Sequence, residues 1–177
     1  MTETSQPYRP VEQARALSAR DPRLGPWRAF LTAHALVTRR LDEDLRTEQQ
    51  MTLAEYEALL HLAQAPERRL RMNQLADRII LSRSGVTRLI DRLEADGLVA
   101  RSQCSSDGRG AEAVLTDVGY DRLRRASRTH LRGIKAYFLD SVAEGDLAAI
   151  ERSCDSVGRG VRTSERRAAP SEERRTA

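Results

Sequence analysis

The stretch SRSGVTRLIDRLEADGLV, residues 82–99, restricts this chain more than any other part of it. Ser82 is an N-cap residue, whose hydroxyl can take one of the N–H groups that a first helical turn leaves unpaired. Gly97 supplies the backbone freedom at which helices commonly stop. Between them Val86, Leu89, Ile90 and Leu93 recur at three- and four-residue spacing, so one face of a helix over 83–96 is apolar and demands burial. A helix of that length spans about 21 Å, enough to cross a major groove. Its other face gathers Ser82, Arg83, Ser84, Thr87 and Arg88 near the N-terminus, side chains short or forked enough to meet base edges and phosphates. Gly85 lets the backbone come close, and Glu94 and Asp96 lie at the far end. A shorter helical stretch, MNQLADRI at 72–79, precedes it across a brief turn, which makes a helix-turn-helix. An amphipathic surface helix with no ligand carries the same residue types, so this stretch alone leaves both readings open.

The next segment narrows the choice. LVARSQ and GAEAVLT are short runs richer in valine and leucine than in helical periodicity, joined by SSDGRG. Asp-Gly favours a tight hairpin turn, so the two runs are expected to pair as strands. The turn presents Arg109 between Gly108 and Gly110, and Asp107 can orient it by bonding the turn backbone or an arginine. A slim tip carrying a cation suits the narrow, electronegative minor groove of DNA.

The remaining pattern is helical. Trp27, Phe30, Leu31, His34, Val37, Leu41 and Leu45 form one stripe, with Pro26 at the first turn. TLAE at 52–55 is a capping box that opens a helix running to about Gln64. Thr116 can cap a long fifth helix with Leu123, Ile134 and Phe138 inward. A sixth carries Leu147, Ile150, Cys154, Val157 and Val161 as a seam suited to packing against a helix of a second subunit. The expected fold class is mainly α with a small β-hairpin wing: a winged helix-turn-helix domain at about 52–115 plus an α-helical dimerisation region at about 26–48 and 116–161. Residues 1–25, polar and proline-bearing, are expected to form a flexible arm, and 162–177, without an apolar stripe, a disordered tail.

Composition agrees with a nucleic-acid partner without establishing it. The 177 residues carry a net charge of +4, with 30 lysines and arginines against 26 acidic residues. The N-terminus has no apolar run of the signal-peptide kind and nothing approaches membrane-spanning length, so the expected location is cytoplasmic, at the nucleoid when bound to DNA, with no membrane partner. There is no internal repeat, no glycine-rich phosphate loop, no metal-ligand spacing and no nucleophile motif. Neither an enzyme nor a metal or cofactor is expected.

LRMNQLADRIILSRSGVTRLIDRLEADGLVARSQCSSDGRGAEAVLTDVG resembles the winged helix-turn-helix core of the multiple-antibiotic-resistance-regulator (MarR) family. The most diagnostic piece is Asp-x-Arg followed at fixed distance by Leu-Thr-x-x-Gly, here Asp107, Arg109, Leu115, Thr116 and Gly119. The resemblance covers roughly residues 27–161. It implies an obligate homodimer whose first, fifth and sixth helices interlock, with two winged domains reading a palindromic operator in double-stranded DNA. It implies repression, or occasionally activation, relieved by a small-molecule effector or an oxidant. Arg109 takes the family's minor-groove role, and Ser82, Arg83, Ser84, Thr87 and Arg88 its recognition-helix contacts.

The sensor is less legible. Family ligand pockets lie between the dimerisation helices and the DNA-binding lobe, which makes Trp27, His34 and Tyr56 lining candidates, each with core packing as the alternative. His61 is expected to be exposed and His130 to be a satisfied interface histidine. Cys154, on the seam, is expected to be buried and inert. Cys104, at the base of the wing, is the candidate for redox control, with Arg101 or Arg109 able to favour its thiolate. Two alternatives stay open: a winged-helix module that binds protein rather than specific DNA, and a redox-responsive regulator acting through Cys104.

Overall fold

Three hydroxyl side chains set where helices begin in the computed structural model, which describes residues 18–79, 81–103 and 111–168. Thr52 accepts from the Glu55 N–H at 3.1 Å while the Glu55 carboxylate accepts from the Thr52 N–H at 2.8 Å, and α2 (Leu53–Gln64) follows. Ser82 accepts from the Gly85 N–H at 3.1 Å and opens α4 (Arg83–Ala95). Thr116 accepts from the Gly119 N–H at 3.0 Å and opens α5 (Asp117–Tyr137). Each cap satisfies an N–H that the helix itself cannot pair. Gly97, at φ +69°, ends α4 in the left-handed conformation that its sequence position predicts.

The other helices are α1 (Gly25–Gln49), α3 (Met72–Ala76) and α6 (Glu144–Ala168). Contacts divide the chain into two units at Leu36 and Val37. In the first, a 3-10 turn at Pro22–Leu24 is capped by Asp21 and leads into α1. Most of the expected arm, residues 1–17, lies outside the described residues.

In the second unit the core sits between α2, α3, α4, the sheet and the start of α5. Leu59, Leu62, Leu75, Leu89, Ile90 and Leu93 are all at most 1% exposed. Each such side chain contributes roughly 1.5–3 kcal/mol by leaving water, which is why the apolar face of α4 is fixed inward and its polar face outward. The last turns of α1 pack on α5 through polar pairs: the Tyr137 hydroxyl donates to Asp44 Oδ2 at 2.7 Å, and the buried Thr129 hydroxyl to Glu48 Oε2 at 3.0 Å.

The sheet has one strand more than the sequence predicts. β1 (Arg69–Arg71), β2 (Val99–Gln103) and β3 (Ala111–Leu115) form an antiparallel sheet in the order β1-β3-β2. Leu70 faces Ala113 in one ladder, and Arg101 faces Ala113 in the other. A three-residue strand offers too little alternation to be read locally; its pairing with β3 makes it. The turn before it is tight, with Glu67 at φ 50° and Arg68 at φ 53°. Arg68 is held there by Asp117 at 3.1 Å and by the Tyr120 ring, 4.2 Å from its guanidinium carbon.

Two boundaries differ from expectation. α3 stops at Ala76, because the Asp77, Arg78 and Ile79 N–H groups close back onto Asn73 and Leu75 carbonyls as a turn. α6 continues through Ala168, past the end of its apolar seam, so residues 162–168 are helical where a disordered tail is expected. Their arginine, glutamate and alanine are good helix formers, so propensity favours the helix there. Residues 169–177 lie outside the described residues.

Candidate nucleic-acid interface

The outward face of α4 is built by the same residues that bury its other face. With Val86, Leu89, Ile90 and Leu93 inward, Ser84, Thr87, Arg88 and Asp91 fall on the exposed side. Arg83 occupies the first helical position. The Ser82 and Ser84 hydroxyls lie 3.2 Å apart and share a hydrogen bond at the helix N-terminus. This end of α4 therefore offers short hydroxyls and first-turn N–H groups, with the exposed Arg88 further along the same face, which is the chemistry that binds phosphate oxygens and base edges.

The acidic end of α4 is organised too, in a way that sequence reading misses. Arg101 of β2 places its guanidinium on Asp91 and, at 3.5 Å, on Glu94. Its backbone N–H donates to Glu94 Oε1 at 3.2 Å. Arg92, on the neighbouring face, pairs with Glu55 at 3.5 Å. Acidic residues at i and i+3 on the recognition helix, with an arginine two residues into the following strand, are the available sequence signal.

The wing stem is described and its tip is not. β2 and β3 pair out to Gln103 and Ala111. Cys104, Asp107, Gly108 and Arg109 lie outside the described residues. Arg101, expected as one possible neighbour favouring a Cys104 thiolate, pairs with Asp91 and Glu94.

The candidate sensor residues fall into different surroundings. Trp27 is 54% exposed and stacks on Phe30, whose ring stacks in turn on His34. Tyr56 is buried, its ring centroid 4.2 Å from that of His130, and its hydroxyl donates to Ser127 Oγ at 3.4 Å. His130, expected as a satisfied histidine at a subunit interface, has its Nδ1 buried without a hydrogen-bond partner among the described residues of the single chain, and burial pushes its pKa down. His61 is half-buried rather than exposed, its pKa lowered by burial and then by Arg78. Cys154, expected to be buried on a seam packed against a second subunit, is exposed on α6 in the single chain. A cleft of ≈ 280 Å³ opens where the α1–α2 turn, the end of α4 and α5 meet, lined by Gln50, Met51, Glu55, Leu93, Leu98 and Arg122 among others. Among the described residues, no group of three or more His, Cys, Asp or Glu is placed to hold a metal ion. No helix of the described residues is long and apolar enough to cross a membrane.

A helix-turn-helix followed directly by a β-hairpin and a long helix is a winged helix-turn-helix, an architecture of DNA-binding proteins. Residues 49–110 match the model of the MarR family. The chain is 32% identical to AbsC, a MarR family transcriptional regulator from Streptomyces coelicolor, with a TM-score of 0.74 over 84% of this chain and 99% of that one. It is also 32% identical to Sco3205, a MarR family regulator of the same organism solved in complex with DNA, with a TM-score of 0.74 over 89% and 97% of the two chains. BldR of Sulfolobus solfataricus, at 21% identity, shares the fold, with a TM-score of 0.69 over 81% of this chain and 99% of that one. No curated protein sequence matches the chain. The chain belongs to the MarR family of transcriptional regulators.

Proposed function

We propose that this regulator acts as a cytoplasmic homodimer that binds a palindromic operator in double-stranded DNA and represses transcription until a small-molecule effector binds. The observation that carries the reading is the outward face of α4, where Ser84, Thr87 and Arg88 are exposed around a capped helix N-terminus beside a wing stem. In this reading α4 enters the major groove through Ser82, Arg83, Ser84, Thr87 and Arg88. Gly108 and Arg109 enter the minor groove, with Asp107 orienting the tip. The similar Sco3205 was solved bound to DNA, which supports this assignment.

Exposed apolar side chains support the dimer. Leu131 is 61% exposed, Val157 66% and Val161 53%, and Phe30 and Leu31 are also uncovered, so burial against a second copy has much surface to gain. Dimeric helix-turn-helix proteins read half-sites about one helical turn apart. Of the lining candidates for an effector, Tyr56 has the strongest support, because the unpartnered His130 Nδ1 beside it leaves a polar atom for a ligand to satisfy.

The test is binding to DNA from upstream of the gene at a series of salt concentrations. A dimer that neutralises roughly six to eight phosphates loses affinity with a log–log slope near −0.9 per contact. Binding that is insensitive to salt, or equal on random DNA, would instead favour a winged-helix module that recognises protein. Release of DNA by peroxide that Cys104→Ser abolishes would place the sensor at Cys104.

A further inference from the structure

We infer that Arg101 is a positioning residue that sets the wing against the recognition helix, holding β2 to Asp91 and Glu94 so that the two DNA-reading elements keep one spacing. The inference rests on the DNA-binding reading of α4 and the wing. Its geometry does not. The Arg101 side chain is 34% exposed and its guanidinium spans two carboxylates one helical turn apart, Asp91 and Glu94. The Arg101 N–H adds a third tie, to Glu94 Oε1 at 3.2 Å. Arginine's planar fork can serve two carboxylates at once, which a lysine ammonium on a flexible stem does less well.

The location gives the clamp its consequence. β2 is an edge strand of the sheet, paired on one side to β3. Its other side has no strand among the described residues, so the ties from Arg101 add to the packing of the buried Val99 in holding the hairpin against that helix. Asp91 lies on the exposed face that also carries Ser84, Thr87 and Arg88. Unpaired, its charge and that of Glu94 would repel the phosphates that α4 is proposed to approach. Arg101 thus acts twice: it fixes the angle of the wing and offsets acidic charge on the recognition helix. A phosphate-binding role for Arg101 fits worse, since its guanidinium already faces two carboxylates.

The test uses the full chain with Arg101→Gln, Arg101→Lys, Asp91→Asn and the double variant, each footprinted with hydroxyl radicals on operator DNA. The wild type is expected to protect both the major-groove half-site and the flanking minor groove. Arg101→Gln should keep the first and lose the second, with affinity falling roughly threefold to tenfold, and Arg101→Lys should recover part of the loss. Asp91→Asn added to Arg101→Gln should cost nothing further, because both changes break one tie. Protection of both regions by Arg101→Gln, with affinity within about twofold of wild type, overturns the inference. If Arg101→Gln does not fold, the same comparison is made with Asp91→Asn, whose side chain is half exposed. If the wild type protects no DNA, the DNA-binding reading fails and the clamp is decided in the free protein. Faster amide exchange across 99–115 in Arg101→Gln then sustains it, and unchanged exchange refutes it.

Discussion

A Cβ on Gly119 would stand 2.0 Å from the carbonyl oxygen of Leu98, so the first turn of α5 rests directly on the turn that ends α4. The same oxygen accepts from the Thr116 N–H at 3.2 Å and from its hydroxyl at 3.1 Å, and that hydroxyl also lies 2.8 Å from the Gly97 oxygen. Thr-x-x-Gly is thus a joint: threonine grips the end of the recognition helix and caps α5, and glycine makes room. Gly119→Ala must force backbone apart, at a cost of at least the roughly 1–3 kcal/mol typical of overpacking. Thermal unfolding should show a clear fall in Tm, and an unchanged Tm would contradict the joint.

Thr52→Ala and Thr116→Ala separate capping from joining. Loss of the Thr52 cap should cost about 1 kcal/mol, the ordinary value for an N-cap. Thr116→Ala removes the cap and the bonds to Gly97 and Leu98 together, and should cost more. Chemical denaturation of the two variants side by side measures the difference.

Those capped ends were the most legible part of the fold, because a hydroxyl three residues before a free N–H is a local signal. Ser82, Thr52 and Thr116 each made the bond that their spacing predicts. β1 was not legible, since Arg69–Arg71 becomes a strand only through pairing with residues more than forty positions away. Of the candidate site, the exposure of Ser84, Thr87 and Arg88 followed from the apolar stripe behind them. The Arg101 clamp did not, because Asp91 and Glu94 read as ordinary solvated acids until β2 folds back onto α4. The surroundings of His130 Nδ1 are a similar case: periodicity gives a side chain's direction, not the partners it meets there.

Stability should fall on mild acidification. Burial lowers the His130 pKa from its usual 6.5, so the unfolded chain takes up a proton that the folded chain resists. The unfolded state then binds more protons below about pH 6.5, and stability drops as pH falls through that value. His61 is shifted in the same direction and adds to the effect. His130→Gln should reduce, without abolishing, the loss of Tm between about pH 7.5 and about pH 5.5. An undiminished loss would assign the effect to other groups.

The dimer reading predicts that charge on the α6 seam separates the subunits. Val157→Glu with Val161→Glu replaces two exposed apolar side chains that the single chain does not need for its core. Sedimentation should show a monomer whose winged region keeps its helical signal. A dimer unaffected by both changes would place the subunit contact elsewhere.

Arg88→Ala should cost roughly 1–3 kcal/mol on operator DNA if its guanidinium reads a base, with a smaller loss on random DNA. Equal losses would make it a phosphate contact. Arg109→Ala should weaken binding most where AT-rich sequence flanks the half-site, with dimerisation unchanged.

β3 is paired on both edges, and Thr116 alone separates it from α5. A strand held on two sides cannot slip by one residue without turning every side chain to the wrong face. The register of β3 is therefore set from both sides, and one residue carries it into α5, with its hydroxyl on the Leu98 oxygen.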